Sequence, residues 1–496
     1  MKPAEYLRTT LLAFIDRLPH QDKRALKEFL HCSAYSFGTV CAGSEAPALV
    51  LNELVDALEK RLAVHMKCQH RFSSEIAEDK RNFIESIFPD IPCMFGAVET
   101  LEFEKSISYH DKGRRMLPKS VPSVDWAFAG FPCKDVSTLN SNKKKFKSVI
   151  AEGGSKTGSC FQSILRWVRA HGGALNIIWF ENVVGLHVQK KKGSKEPTNL
   201  EVCLDELSGL GFYAFAVQVD PRCYGTPQSR ARLWIPCIKL VYLTSLGWEP
   251  AAFRSKVCKL MEKFSGIPIM PIEHILLDED DALVKAYLRA TKQKGDGAQD
   301  SNWPELHKEI FDRAGKECPA EISSISEDIK ILYPSTRDIL LREEGCLAFA
   351  GVEFPEKTRR LINVAPSIDR IQVSTEHFLC TTPRQRVWVS DRCRFLLGYE
   401  SLATQGIHYG DRDNIVRATG DKLLGDLSGN AFHTGSCGAA VVATLVVLAS
   451  GPKAASNRGS SSSSGLTLLA SSAMDSAGDI EAAGDGCEDL DTIWNM

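Results

Sequence analysis

Between Tyr35 and Ile238 short apolar runs alternate with longer amphipathic ones, and this alternation constrains the fold more than any other feature of the sequence. Strand-like runs fall at Tyr35–Val40, Arg71–Ile76, Val124–Ala129, Leu175–Phe180, Phe212–Val219 and Arg232–Ile238. Helical stretches separate most of them, at Ala46–Ala63, Glu78–Ile87, Ser159–Ala170 and Leu200–Leu210. Alternation sustained over about two hundred residues predicts an α/β fold with a mostly parallel sheet. Such sheets collect ligands at the C-terminal ends of their strands. The residues that follow each strand are therefore where chemistry is expected.

Near Val241 the rhythm breaks. Residues 241–375 mix charged helices with loops and read as a smaller inserted domain. The first part of the α/β domain is then 32–240, and its returning part is 376–450, ending in SGNAFHTGSCGAAVVATLVVLAS. Residues 1–31 are helical and rich in charge, an N-terminal extension to which the sequence gives no chemistry. After Ser450 the chain turns to Ser, Gly and Ala, then becomes acidic, with no Lys or Arg beyond Arg458. Residues 451–496 are expected to be a disordered tail.

Composition narrows the function classes. The 496 residues suffice for two or three domains. Hydrophobic residues make up 44% and charged residues 25%, an ordinary soluble balance. A net charge of −2 and a pI near 6.6 exclude a chain that binds nucleic acid by overall basicity, so any such contact must come from local patches. The sixteen cysteines include no Cys-x-x-Cys pair, and no Cys/His cluster has zinc-finger spacing, so no metal is expected. The opening MKPAEYLRTTLLAFIDRLPH lacks the apolar core of a signal peptide, and the cysteines read as reduced intracellular thiols. The longest apolar run, Ala439–Ala449, is too short to span a bilayer, and no membrane partner is expected.

Three strand ends carry reactive groups. VDWAFAGFPCKDVSTLN runs from an apolar strand into Gly130-Phe131-Pro132-Cys133. LNIIWFENVVGL runs into Glu181-Asn182-Val183. CYGTPQSRARLWIPCI places Gln228, Arg230 and Arg232 alternately ahead of a strand, and residues two apart on a strand share a side. Arg230 and Arg232 are thus expected to converge on one ligand.

These segments resemble the cytosine-C5 DNA methyltransferases. AGFPCKDVS is similar to their Pro-Cys nucleophile motif, ENV to their catalytic-glutamate motif, and YGTPQSRAR to their Gln-x-Arg-x-Arg motif. SGNAF is similar to their late Gly-Asn-Ala motif, and YESLATQGI to the segment that precedes it. VCAGSEAPALVL, FSSEIAEDKRNF and MFGAVETL fall where the family has its cofactor motifs after the first three strands. The resemblance covers roughly 35–240 and 380–450 and keeps the family's motif order.

The resemblance implies a Rossmann-like class I methyltransferase fold, with 241–375 as the target-recognition domain. It implies a methyl group transferred from S-adenosyl-L-methionine to C5 of a cytosine flipped out of double-stranded DNA. Cys133, Glu181, Arg230 and Arg232 would be catalytic. The Cys133 thiolate would add to C6, protonated Glu181 would sit at N3, and arginine would hold O2. Lys134 beside Cys133 is expected to favour the thiolate. Ala42, Gly43, Glu75, Ala97, Pro132 and Asn430 would bind the cofactor; Ser137, Lys134 and Gln228 would bind the substrate. The resemblance further implies a monomer acting in the nucleus. The loop Asn140–Gly158 would close over the flipped base, with Lys143–Lys145 and Lys190–Lys192 near phosphates.

The chain departs from the family at Cys41-Ala42-Gly43-Ser44-Glu45, where Phe-x-Gly-x-Gly is usual, at Ala97 in place of Asp, and at Lys134 in place of Gln. Glu45 is expected to crowd the cofactor turn, weakening binding. Two alternatives stay open: an inactive DNA-binding homologue, favoured by the altered glycine turn, and a transfer-RNA methyltransferase, whose Cys-Phe-Thr signature is not found here.

Overall fold

The computed structural model describes residues 2–137, 150, 155–188, 196–293, 312–313, 315, 317, 358–363, 372–383 and 386–453. These belong to one compact unit, Met1–Ser460. A second unit, Ser461–Met496, and the expected tail beyond Lys453 lie outside the described residues.

The strands of the main sheet are β1 (Ala34–Val40), β2 (Lys67–Ser74), β3 (Met94–Phe95), β4 (Lys105–His110), β5 (Arg115–Ser120), β6 (Trp126–Ala129), β7 (Ile177–Val183), β8 (Phe212–Ala214), β9 (Val217–Val219) and β10 (Arg232–Lys239). Their order is β5-β4-β3-β2-β1-β6-β7-β10-β8, with β9 also paired to β10. The centre is parallel: β1 pairs with β2 and β6, β2 with β3, and β6 with β7. β10 runs antiparallel between β7 and β8. This is the class I methyltransferase arrangement that the strand–helix alternation and the motifs predicted. The run Phe212–Val219, expected as one strand, is two short ones, β8 and β9. The β4–β5 hairpin at the sheet's edge was not predicted.

Helices α1 (Pro3–Asp16), α2 (His20–Leu30), α3 (Ala46–Leu62), α4 (Glu78–Ile87), α5 (Lys156–His171) and α6 (Asn199–Gly209) come first in the chain. After β10 follow α7 (Leu240–Ser245), α8 (Pro250–Phe264), α9 (Ala282–Gln293), α10 (Gly398–Thr404), α11 (Asp413–Ala418), α12 (Asp421–Asn430) and α13 (Thr434–Ala449). Every residue of α13 is buried. A helix that is apolar on all sides must be enclosed, and α13 is enclosed by β10, α1, α2, α3 and α8. By length and composition Asp421–Ala449 could cross a membrane, yet its apolar window is wholly buried within the protein. Here it is the core helix.

A second, antiparallel sheet has the order β12-β11-β13-β14, from β11 (Leu361–Asn363), β12 (Gln372–Ser374), β13 (Val387–Val389) and β14 (Arg394–Phe395). Ile362, Trp388 and Phe395 form its own small core, against Tyr287 and Leu288 of α9. Residues of α8, among them Phe253, Val257 and Phe264, belong instead to the main core with α13.

Candidate active site

The ends of β6, β7 and β10 assemble one cluster. β6 leads into Gly130-Phe131-Pro132-Cys133, whose chain turns at once: the amides of Val136 and Ser137 donate to the Cys133 carbonyl at 3.1 and 2.8 Å. Gly130 is required there, because a Cβ would lie 2.6 Å from Cε1 of Phe432. Asn182, next to Glu181, donates from Nδ2 to the Phe131 carbonyl at 3.1 Å and fastens this turn to β7. Asp135 accepts from both the amide and the hydroxyl of Thr157, each at 3.0 Å. That contact joins the two sides of the stretch between them, most of which, including Lys143–Lys145, lies outside the described residues, as do Lys190–Lys192.

Glu181 and Arg232 meet across the antiparallel β7–β10 pair. In the register Trp234 faces Glu181 and Arg232 faces Val183, so the two side chains are diagonal neighbours. Arg232 Nε lies 3.0 Å from Glu181 Oε1, with both side chains mostly buried. Burial pushes the Glu181 carboxyl above its ordinary range, against the opposing pull of Arg232 and Arg230. Burial also pushes the Cys133 thiol up; Arg232 pulls it down, Glu181 pushes it up, and Arg230 pulls it down, with a net rise. Lys134 is exposed. The cations acting on Cys133 are Arg232 and Arg230, which replaces the expectation that Lys134 favours the thiolate. At neutral pH the resting thiol keeps its proton.

Arg230 and Gln228 are placed differently from Arg232. Arg230 is buried, and its guanidinium donates to the carbonyls of Thr381, Gly429 and Ala431 at 2.6, 3.1 and 3.1 Å. It clamps the returning segment onto the sheet, while both it and Arg232 act on Cys133, Glu181 and Cys380. Gln228 is also buried, and its Nε2 donates to the hydroxyls of Thr381 and Thr404 at 3.1 and 2.7 Å. A residue the sequence reading passed over completes the cluster: Cys380, whose Sγ lies 3.6 Å from Arg232 Nη2. Burial pushes its thiol up, but Arg232 and Arg230 outweigh that and hold it below the ordinary value.

The residues expected to bind cofactor gather at the ends of β1, β2 and β3. The Gly43 amide donates to Glu75 Oε2 at 3.0 Å, and the Ala77 amide donates to Oε1 at 3.0 Å. Gly43 has φ +58°, and a Cβ there would sit 3.3 Å from the Asn430 carbonyl oxygen. The turn after β1 thus abuts the returning segment. Ala97 follows β3, held near by the hydrogen bond from Ser74 Oγ to the Gly96 carbonyl at 2.8 Å. Pro132 is exposed beside Cys133, and Ala42 packs near Ile84 and Met94. Glu45 does not crowd the turn. Its side chain is fully buried and points inward, accepting from Ser73 Oγ at 2.9 Å beside His70 at 3.4 Å. Among the described residues no cluster of metal-ligating side chains occurs.

Residues 67–322, more than half of the chain, match the family model described as C-5 cytosine-specific DNA methylase. The chain is 25% identical over 432 residues to a DNA (cytosine-5-)-methyltransferase DMT5 of Cryptococcus neoformans var. grubii, covering 82% of this chain and 17% of that protein. It is 22% identical over 479 residues to the protein of that name from Verticillium dahliae, covering 83% and 19%. The chain therefore spans less than a fifth of the length of these relatives. Among solved structures, S. pombe Dnmt2 methyltransferase is 11% identical with a TM-score of 0.42, over 82% of this chain and 97% of that one. A putative DNA modification methyltransferase encoded in an E. coli prophage is 13% identical with a TM-score of 0.40, over 84% and 98%.

Proposed function

The chain belongs to the C-5 cytosine-specific DNA methylase family, and from that premise we propose that it transfers a methyl group to C5 of cytosine in DNA, with Cys133 as nucleophile. The observation that carries this reading is the meeting of Glu181 and Arg232 at 3.0 Å, with Arg232, Glu181 and Arg230 the charges that act on Cys133. C5 of cytosine is too weak a nucleophile to take a methyl group unaided. The Cys133 thiol gives up its proton to solvent and its sulfur bonds to C6, while protonated Glu181 gives its proton to N3 and Arg232 holds O2, so the ring electrons reach C5. A raised Glu181 suits that task, because a neutral carboxyl can donate where a carboxylate cannot. The base must leave the stack for Cys133 to reach C6 from its face. After methylation a water molecule takes the C5 proton, N3 returns its proton to Glu181, the electrons of the Cys133–C6 bond go to sulfur as the bond breaks, and the thiolate regains a proton from solvent.

Gly43, Glu75, Ala97, Pro132 and Asn430 would hold S-adenosyl-L-methionine, which supplies an electrophilic methyl group when bound. Glu75 keeps a lone pair on each oxygen for ribose hydroxyls after accepting its two amides. The small antiparallel sheet with α9 is the part of the fold proposed to read the target. The proposal includes a monomer, since one copy of the chain supplies every group named, acting in the nucleus, a location inferred from a DNA substrate alone.

Incubation with labelled S-adenosylmethionine and either duplex DNA or transfer RNA tests the reading. Label should enter DNA and not transfer RNA, and Cys133→Ser should abolish it while DNA binding persists. DNA carrying 5-fluorocytosine should form a covalent adduct with the wild-type chain. Undiminished transfer by the Ser variant, or label in transfer RNA alone, contradicts the proposal.

A further inference from the structure

We propose that Cys41 and Cys160 form a reversible disulfide that ties the cofactor turn to α5. Their sulfurs lie 3.4 Å apart. Cys41 closes β1 in a left-handed conformation with φ +56° and is partly exposed. Cys160 sits in the first half of α5 and is buried. A disulfide needs its sulfurs at about 2.05 Å, so closure asks for a shift of roughly 1.3 Å, shared between side-chain rotation and movement of the turn that carries Cys41.

The chemistry balances with a low-molecular-weight disulfide such as oxidised glutathione as the oxidant. Cys41, the more accessible thiol, loses its proton and attacks one sulfur of the oxidant; that S–S bond breaks and one thiolate leaves with the proton. Deprotonated Cys160 then attacks the Cys41 sulfur of the mixed disulfide and expels the second thiol. Two protein thiols are oxidised by two electrons, and one disulfide is reduced to two thiols. The bond to the Cys160 thiol, burial, and the Glu75 and Glu99 carboxylates hold the Cys41 proton on. Thiols of that kind attack slowly and leave poorly, so the bond forms slowly and, once made, resists reduction.

Two parts of the site would be coupled. Ala42 and Gly43 follow Cys41 directly, with Gly43 pinned to Glu75 on one side and abutting Asn430 on the other. α5 is joined through Thr157 to Asp135, two residues beyond Cys133. Drawing Cys41 onto α5 displaces the turn from the geometry that Glu75 and Asn430 share. This second step rests on the proposed function; the bond itself does not.

The full chain is equilibrated in glutathione buffers of rising oxidised fraction, quenched in acid, alkylated and mapped by non-reducing mass spectrometry. A Cys41–Cys160 cross-linked peptide should grow with oxidation and vanish with dithiothreitol. Cys160→Ser should instead leave Cys41 as a glutathione adduct, and Cys41→Ser should show no cross-link at Cys160. Glutathionylated Cys41 in the wild type without the cross-link, or no oxidation at either residue at any ratio, overturns the proposal. S-adenosylhomocysteine is then titrated calorimetrically into both forms, with the oxidised form expected to bind about tenfold more weakly. Equal binding overturns the coupling and leaves the bond. If neither form binds, the proposed function fails while the mapped disulfide stands.

Discussion

At Glu45 the backbone takes a left-handed φ of +58°, a conformation that costs a non-glycine residue about 1 kcal/mol. The side chain has a use below the turn: burial raises its carboxyl to about 8, and burial lowers neighbouring His70 to about 3. The signs oppose. His70 binds its proton in the unfolded chain below 6.5 but not in the folded one until about 3, so its contribution grows as pH rises across that window. Glu45 keeps a proton in the folded chain between 4.5 and about 8 that the unfolded chain has lost, so its contribution falls across that window. The two cancel between 4.5 and 6.5, and a net loss remains from 6.5 to about 8, at most roughly 1.4 kcal/mol per pH unit. Glu45→Gln should remove that alkaline loss in urea melts at pH 6.5 and 8; an identical decline in both proteins contradicts it. The active-site groups give a second prediction. Cys133 and Glu181 are both raised, so kcat/KM should be bell-shaped, with an acid limb above the range of a free carboxyl and an alkaline limb above that of a free thiol. Limbs at the ordinary values would show that neither group is the titrating one. That Cys133, Glu181 and Arg232 lie in one cluster was legible because each sits in, or just beyond, the end of an apolar strand. Cys380 was not, since its contact with Arg232 spans 148 positions of sequence and no local pattern marks it.

In the sequence helix α1 reads as part of a charged N-terminal extension to which no chemistry attaches. Its apolar stripe nonetheless lies against the most enclosed helix of the fold. Tyr6, Leu11, Phe14 and Ile15 are fully buried. Gly435 and Gly438 of α13 leave the space: a Cβ at the first would lie 2.2 Å from the Tyr6 hydroxyl oxygen, and at the second 2.7 Å from Leu11 Cδ2. Tyr6 donates its hydroxyl to the Tyr224 carbonyl at 2.6 Å, and Phe14 stacks on Phe264 of α8 with centroids 4.7 Å apart. Phe14→Ala should therefore cost about 3–5 kcal/mol in denaturant unfolding, although residue 14 is far in sequence from the reactive groups. A cost below 1 kcal/mol would mean that α1 is not seated. The alternation that fixed β1, β6 and β7 was clear because those strands are buried on both faces and read as apolar runs. The β4–β5 hairpin was missed for the opposite reason: KSISYH and RMLPKS form the edge of the sheet, where charged and apolar residues are both exposed.

Across the whole molecule, a fully buried ion pair among the described residues joins the small sheet to the main core. Arg394 of β14 and Glu400 of α10 have no exposed side-chain surface, and the guanidinium holds both carboxylate oxygens, at 2.7 and 2.9 Å. Arg394 also donates to the Leu277 carbonyl at 3.1 Å, while the amides of Leu277 and Leu397 donate to Glu400 at 2.8 Å each. Three stretches of chain are thus joined: the turn near Leu277, the end of the second sheet, and helix α10 of the returning segment. The sequence displayed Glu400 as part of a motif, but its partner could not be read, because what makes the pair consequential is complete removal from water. A buried pair adds little over an apolar pair of the same volume, whereas removing one partner strands the other charge and costs roughly 3–5 kcal/mol. Glu400→Ala should lower stability by about that amount, and Glu400→Leu combined with Arg394→Met should recover most of it. The double variant separates two roles. If the pair only fills space, its thermal melt remains a single transition near that of the wild type. If the pair fixes how the small sheet sits on the core, stability returns but the melt divides into two transitions followed separately at Trp388 and Trp179, and binding of duplex DNA weakens. The two hydrogen bonds within this pair and the three that tie it to Leu277 and Leu397 favour the second outcome, and a single sharp transition with unchanged DNA affinity in the double variant would refute it.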